Sequence, residues 1–381
     1  MKRVVLSVTN DLFTDPRVDK VAHSLERMGC AVLLVGRRYA DSPVLPPRSY
    51  LTRRMRLLFR KGPLFYAEYQ FRLFLLLLFV RCDILVANDL DTLLPNVLVS
   101  RIRRKPLVYD SHEYFCQVLE VVTRPRVQAV WHRIERFCFP KVSAAITVSA
   151  SIAEAYRQEY GREVAVVRNL PLRRTSGTEV SRKELGLPDE AKILILQGNA
   201  IHKGRGGELM VETMPLLPEQ VLLLVVGAGD ALPEMRRRVT ELDLQQRVLF
   251  TGRVEAERLY AYTACADLGV SFDQSVCLNH DYSLPNKLFE YIQAGVPVLV
   301  SGLPERRKLV ERYGVGLVVE ELQPASVADA VLRMLNDAEG YAQCRRRCEA
   351  AAEQLCWERE EEQLRRIYQP FLENKNNIGK I

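Results

Sequence analysis

The chain has 381 residues, more than one compact core usually organises, so two domains are expected. Its 48% hydrophobic and 27% charged residues are those of a folded globular protein, which excludes a largely disordered chain. The net charge of +7 is modest but uneven: residues 42–67 hold Arg48, Arg53, Arg54, Arg56, Arg60 and Lys61 and no acidic side chain, which suggests an anionic surface as partner, with no recognised module to argue for nucleic acid.

Nine scattered cysteines without a Cys-x-x-Cys pair read as reduced thiols of a cytosolic protein. Cys344 and Cys348 share a helix face, but no neighbouring Cys or His completes a zinc set, so they are expected to be structural. The N-terminus opens directly as a strand with no secretory signal, and the longest apolar run, residues 73–80, is far short of the ~20 residues of a membrane span. A cytoplasmic chain is expected, at most peripheral on the inner face of a membrane.

In chain order, residues 4–8 form an apolar strand, residues 19–28 set Val21, Leu25 and Met28 at helical spacing before Gly29, and residues 31–35 form a second buried strand. Such a β-α-β unit announces a parallel, doubly wound sheet. Thr14 or Asp15 caps the helix with Pro16 in its first turn, and Arg17 is a source of charge there or part of an ordinary helix start. The basic stretch over residues 48–61 reads as a solvated loop or, with Phe65, Tyr66, Tyr69 and Phe71 following, as a surface for anionic lipid; residues 73–80 read as a buried helix. Further strands are expected at residues 84–87 and 107–109 around a helix over about 91–102. The second of these strands runs into Asp110, Ser111, His112 and Glu113. Residues just past the carboxyl end of a parallel strand face the crevice where ligands of open sheets bind, so His112 and Glu113 are candidates for substrate contact; a satisfied structural histidine is the alternative. A helix over 128–139, a strand over 144–148 and a helix over 152–160 close this half, and residues 172–181 read as a linker.

The second half restarts with a strand at 192–196 and a loop holding Gly198, Asn199, Lys203, Gly204, Arg205, Gly206 and Gly207 ahead of a helix. Glycines let backbone N–H groups approach an anion, and the basic side chains add charge. A strand at 221–226 ends in Gly227 and Gly229, too little for a dinucleotide fingerprint. A strand over 248–250, Thr251 and Gly252, a helix over 257–264 and a strand over 268–272 follow. Residues 283–298 then read as turn, short helix and buried strand, with Pro285 in the first turn and Gly295 at the stop. At helical spacing Leu284, Leu288, Tyr291 and Ile292 share one face, and Asn286, Glu290 and Gln293 the other, with Lys287 at its margin. The helix start suits a phosphate; a plain solvated face is the alternative. Strands at 298–300 and 317–319, helices over 324–335 and 341–355, and an amphipathic segment over 357–372 with Leu364, Ile367, Tyr368 and Phe371 complete the chain. Residues 373–381 are expected to fray.

Residues 283–298 resemble the donor-binding segment of GT-B glycosyltransferases of the family 4 type, retaining enzymes that use nucleotide sugars. The resemblance runs in order through nearly the whole chain, specifically in the second half and more loosely in the first. It implies an α/β GT-B fold of two doubly wound Rossmann-like domains facing a central cleft: an acceptor-side domain over residues 1–172, a nucleotide-sugar domain over 182–356, and a final helix over 357–381 crossing back to the first. It also implies that Glu290 holds the ribose and that backbone amides around Pro285, Asn286 and Lys287 meet the diphosphate. Arg205 stands in place of the family's phosphate-loop lysine, with Lys203 second and Asn199 where an arginine is usual. The backbone of Arg253 and Val254 meets the base, and His112 is the catalytic histidine beside the reacting sugar. The sequence departs from the family at Tyr282, where a second glutamate is usual, and in its glycine-free first loop, where Arg17 would provide charge near the donor phosphates instead.

The activity implied is transfer of a sugar to a saccharide or lipid-linked hydroxyl acceptor, with retention, in surface polysaccharide or glycolipid synthesis. No cofactor beyond the donor substrate and no metal are expected, because Arg205 and the helix start would stabilise the leaving diphosphate. Asp89 and Asp91 have metal-site spacing but read as a helix cap. The rival readings are a sugar-nucleotide epimerase of the same shape, which would act on the donor alone, and a non-catalytic partner subunit, which would bind donor weakly.

Overall fold

The computed structural model describes residues 1–13, 15–173 and 180–373, in two compact units. One unit comprises Met1–Asn169, Cys277–Asn279 and the chain from Glu360 onward; the other comprises Leu170–Val276 and His280–Arg359. Thr14, residues 174–179 of the expected linker and residues 374–381 of the expected fraying tail lie outside the described residues.

The first unit is built on seven strands: β1 (Arg3–Asp11), β2 (Ala31–Arg38), β3 (Leu51–Arg56), β4 (Ile84–Asn88), β5 (Leu107–Ser111), β6 (Ala144–Thr147) and β7 (Ala165–Val166). All pairings are parallel, in the order β3-β2-β1-β4-β5-β6-β7. The order reverses between β1 and β4, which makes the carboxyl ends of β1, β4 and β5 a ligand-binding position. Strands covered on both faces read as continuous apolar runs, and Val4, Val5 and Leu6, like Ile84 through Ala87, are buried. The Pro16–Arg27 helix is capped by Asp15, whose carboxylate accepts from the Val18 N–H at 3.2 Å.

Two elements here correct the sequence reading. Much of the arginine-rich stretch is not a loop: Leu51–Arg56 pairs with β2 as the sheet's edge strand. The expected buried helix begins earlier, at Gly62, and runs to Phe79; Phe65, Tyr69, Leu73 and Leu77 are buried while Leu64, Phe71, Leu75 and Phe79 are exposed. Among the described residues no helix is long and apolar enough to cross a membrane.

The second unit has six parallel strands, β8 (Lys192–Gly198), β9 (Val221–Gly227), β10 (Val248–Gly252), β11 (Leu268–Ser271), β12 (Val298–Ser301) and β13 (Gly316–Val319), in the order β10-β9-β8-β11-β12-β13. Its reversal lies between β8 and β11. One face of the sheet packs against Met210, Met214, Met235 and Val331, the other against Leu288, Phe289, Ile292 and Leu309. The two glycines after β9 serve packing: a Cβ on Gly227 would lie 1.9 Å from the Gly198 carbonyl oxygen. The nine cysteines are free thiols, seven of them buried.

The final helix, Trp357–Glu373, buries Leu364 and Tyr368. In the first unit its Glu360 accepts from the Arg168 backbone N–H at 2.7 Å and from Nη2 at 2.6 Å.

Candidate functional site

At the strand ends of the first unit, four charged side chains surround His112. Its backbone N–H donates to Asp89 Oδ1 at 2.8 Å, its Nδ1 lies 3.5 Å from Asp89 Oδ2, and its Nε2 lies 3.6 Å from Asp110 Oδ2. Asp110, at the end of β5, is buried and takes a 2.7 Å bond from Arg17 Nη2, while Arg17 Nη1 donates to the Val167 carbonyl at 2.9 Å. Arg17 is thus buried and committed to Asp110, which corrects both its reading as charge for the donor phosphates and its reading as an ordinary helix start. Burial alone would raise Asp110, but Arg17 and then His112 hold it well below the usual carboxylate range. Burial also disfavours a charged imidazole, but Asp89 and Asp110 outweigh it and push His112 up to about 9. Burial, then the charge of Asp89, pushes Asp91 up to about 7.

Asp89 holds the N-cap position of the Leu90–Arg103 helix that its spacing suggested, but not as an ordinary cap. Its side chain makes no capping bond, and its backbone sits at φ 59°, ψ 166°, a region almost reserved for glycine. Such strain is held by surrounding structure and gathers at ligand sites. Here it turns the carboxylate onto the loop that carries His112. Among the described residues His112 Nε2 and Asp91 Oδ1 are buried atoms without a hydrogen-bond partner, both beyond strand ends at the switch point. Glu113, the other candidate, is exposed.

In the second unit the corresponding strand ends hold a cationic cluster. Asp273, just past β11 and 4% exposed, lies 3.8 Å from Arg205 Nε, 3.9 Å from Lys287 Nζ and 3.2 Å from Arg306 Nη2. Three cations around one carboxylate leave an excess of two positive charges. Burial would raise Asp273, but Lys287, Arg306 and Arg205 together lower it. Burial lowers Lys287 and Arg306 in turn. Arg205 is placed there by Gly206, whose φ of 88° and missing Cβ let the loop lie on Phe272; a Cβ would fall 2.7 Å from that of Phe272.

The Asn286–Gln293 helix carries Lys287 into this cluster and Glu290 beside it, with Pro285 as the residue before its first turn. Buried Gln197 donates from Nε2 to Glu290 Oε2 and accepts from Thr263 Oγ1 at 2.7 Å, so the carboxylate is aimed by a relay from the core. The Tyr291 hydroxyl fixes the helix against β8, donating to the Ile195 carbonyl at 3.1 Å and accepting from the Gln197 N–H at 3.2 Å. Gln293 does not share the offered polar face: its amide donates to Ala352 and Leu355 carbonyls at 2.8 and 3.1 Å.

Arg205 and Lys287 are therefore brought together, with Glu290 on the same short helix as Lys287. Asn286 and Asn199 are exposed, and Lys203 is exposed near Glu234 rather than in the cluster. Arg253 and Val254 line a separate cavity of about 940 Å³ at the edge strand β10, with Leu187, Thr251, Glu257 and Tyr262. Sequence reasoning missed Asp273, Arg306, Gln197 and Thr263. Arg306 lies in an arginine-rich helix start and nothing marks it as buried; Asp273 follows a strand in the position that signalled His112, and could have been found by the same argument. Asp89 and Asp91 do not gather as a metal set; among the described residues one group of three potential ligands does, Cys116, His132 and Glu135.

Two parallel sheets, each with its charged groups at the carboxyl ends around the switch point, define a nucleotide-type α/β architecture of two Rossmann-like units. The first unit matches the family described as Glycosyltransferase Family 4 over residues 17–170, and the second matches Glycosyl transferases group 1 over residues 191–337. The chain belongs to the GT-B glycosyltransferases of the family 4 type. It is 28% identical over 205 residues to N-acetyl-alpha-D-glucosaminyl L-malate synthase of Bacillus anthracis, covering 52% of this chain and 51% of the relative. It is likewise 28% identical over 160 residues to a GDP-mannose-dependent phosphatidylinositol monomannoside mannosyltransferase of Mycobacterium tuberculosis, covering 41% of each. These alignments span about half the relatives' length or less. The structure of Anabaena HepE in complex with UDP-glucose superposes with a TM-score of 0.74 over 97% of this chain and 100% of that one, at 18% identity.

Proposed function

We propose that the chain transfers a sugar from a nucleotide-sugar donor to a hydroxyl acceptor with retention, in glycolipid or surface polysaccharide synthesis. The observation that carries this reading is the gathering of Arg205, Lys287 and Arg306 around a single carboxylate, beside a glutamate aimed by buried Gln197. An excess of positive charge held by the protein suits a nucleoside diphosphate leaving group, and a fixed carboxylate suits a ribose hydroxyl. The guanidinium and ammonium groups would take the charge that a metal takes elsewhere. His112 would hydrogen-bond the sugar as its bond to the diphosphate breaks.

A panel of nucleoside diphosphates, titrated by calorimetry without added magnesium or manganese, tests this directly. Arg205→Ala and Glu290→Ala are each expected to weaken the best ligand ten- to a hundredfold, about 1.5–3 kcal/mol for a lost charge-assisted bond. Unchanged affinity in both variants would remove the donor site from this cluster. Turnover of donor in the absence of any acceptor would instead favour the epimerase.

A lipid-linked acceptor is supported by the surface around β3. Exposed Arg53, Arg56 and Arg60 adjoin the exposed Leu64, Phe71, Leu75 and Phe79, and Arg53, Arg72, Leu75 and Phe79 line a groove of about 580 Å³. Cations interleaved with apolar side chains suit an anionic lipid surface, each cation contributing about 1 kcal/mol at best. Arg54 is different, being paired with Asp11 at 3.4 Å. Salt-sensitive sedimentation with vesicles containing anionic phosphatidylglycerol is expected, and is lost when Arg53, Arg56 and Arg60 are together changed to Glu. Failure of the unaltered chain to sediment at low salt would make a soluble acceptor the better reading.

A further inference from the structure

Away from the charges around His112, three side chains of the first unit converge in a manner that the sugar chemistry does not use. Cys116 lies in the turn Phe115–Gln117, and His132 and Glu135 stand three residues apart on the helix Pro125–Cys138, on one face. One potential ligand atom from each lies within 4.8 Å of the others, and His132 Nδ1 is 3.9 Å from Glu135 Oε2. A tetrahedral ion with bonds of about 2.0–2.3 Å spaces its ligands by roughly 3.3–3.8 Å, so small side-chain rotations close the set.

Two features distinguish this cluster from ordinary core. Glu135 is fully buried, and among the described residues its ion-pair neighbour is His132, with no Lys or Arg. Tyr156 and Tyr160 donate their hydroxyls to its two oxygens at 3.2 and 2.9 Å. Among the described residues His132 Nδ1 is itself a buried atom without a hydrogen-bond partner, turned toward that carboxylate but beyond bonding reach. A buried nitrogen left unpaired beside a buried carboxyl and a buried thiol is costly in an apolar core. A cation bound between them gives that nitrogen a partner and takes the place of the hydrogen bond between Cys116 and Glu135.

We propose that Cys116, His132 and Glu135 bind one zinc ion. A thiolate, a neutral imidazole and a carboxylate suit zinc by ligand type, and their two negative charges cancel its two positive ones, leaving a neutral buried centre. Water completes the tetrahedron on the side where His132 reaches the surface, its side chain being 23% exposed. Binding deprotonates the Cys116 thiol and the Glu135 carboxyl, whose pKa values burial raises, and the protons pass to solvent; affinity therefore rises with pH. The ion acts as a brace. It ties the turn that follows His112 to the helix, and Tyr156 continues the tie to the end of β5 through Ser111 Oγ, 3.0 Å from its hydroxyl.

The test uses the full-length chain without an affinity tag, stripped of metal and titrated with cobalt chloride and then zinc sulfate. One equivalent of cobalt should give a thiolate-to-metal charge-transfer band and the visible bands of a tetrahedral site, both abolished by zinc. Cys116→Ser should remove the thiolate band, and His132→Ala should weaken zinc at least about tenfold, while Cys277→Ser leaves both unchanged. If circular dichroism shows Cys116→Ser unfolded, the partly exposed His132 carries the test through His132→Gln. A native chain with no thiolate band and no saturable zinc uptake overturns the proposal. So does zinc binding that is equal in the native chain and the folded variants, because the ion then sits at other groups.

Discussion

Replacing His112 by alanine is expected to lower turnover by about two to three powers of ten while leaving donor affinity within a few-fold, the loss typical of one donor aimed at charge developing in a transition state. The geometry motivates the split. Among the described residues Nε2 has no hydrogen-bond partner, and the carboxylates of Asp89 and Asp110 hold the ring from either side. Because these carboxylates push the imidazole up to about 9, it is charged near neutral pH and Nε2 is a donor. Activity should therefore fall as pH rises through about 9, and His112→Gln should lose that alkaline limb. The stability linkage has the same direction. A folded pKa raised above the ordinary value of about 6.5 contributes stability that is fully present below that value and is lost as pH rises through about 9. Steady-state kinetics across pH checks both statements, and full activity in His112→Ala would return the residue to a structural role.

How much of this was legible in the sequence follows from how each feature is held. The helix carrying Glu290 was readable because its burial is periodic: Leu288, Tyr291 and Ile292 pack against β8, β11 and β12, and a 100° spacing shows that face directly. The position of His112 was readable because a continuous apolar strand points to its own carboxyl end. Edge strand β3 was not readable. It has one partner strand, holds three arginines among its six residues and is largely exposed, so no apolar run marks it. Arg306 was hidden for the opposite reason, since it is 1% exposed in a helix start that also holds Arg307 and Lys308. Composition cannot tell which of adjacent basic residues turns inward; that depends on Ser301 at the end of the preceding strand and on Asp273, which is distant in sequence. Asp89 required its backbone angle, and the same Asp-x-Asp spacing in relaxed geometry would have been a cap.

Arg306→Ala should be the most destabilising single change in the second unit, by about 3–5 kcal/mol, since it leaves a buried carboxylate without its nearest cation. Arg306 Nη2 is 3.2 Å from Asp273 Oδ2 and Nη1 donates to Ser301 Oγ at 2.9 Å, so truncation removes the donor to Ser301 and leaves Asp273 with the Ser271 hydroxyl at 3.2 Å and two more distant cations. Arg205→Ala, at the same carboxylate, should cost less than about 1 kcal/mol, because the Arg205 side chain is 40% exposed and water screens it. Urea melts of the two variants compare these values directly. Asp273 is lowered in the folded state, so the pair's stabilisation is present above its unfolded pKa of about 3.9 and is lost as pH falls through its lower folded value. The gap between native chain and Arg306→Ala should accordingly narrow in acid. Changing both residues, Arg306→Leu with Asp273→Asn, removes the uncompensated carboxylate and should recover part of the lost stability, Lys287 then losing its own counter-charge. It leaves Arg205 and Lys287 with no carboxylate between them, so donor binding in this double variant separates two roles for Arg306. If nucleotide affinity is retained, Arg306 supports Asp273 while Arg205 and Lys287 do the binding; if it falls tenfold or more, the buried guanidinium is itself part of the diphosphate site. A loss below about 1 kcal/mol in Arg306→Ala would mean that Lys287 and Arg205 already satisfy Asp273, and the buried arginine would no longer be the centre of the cluster.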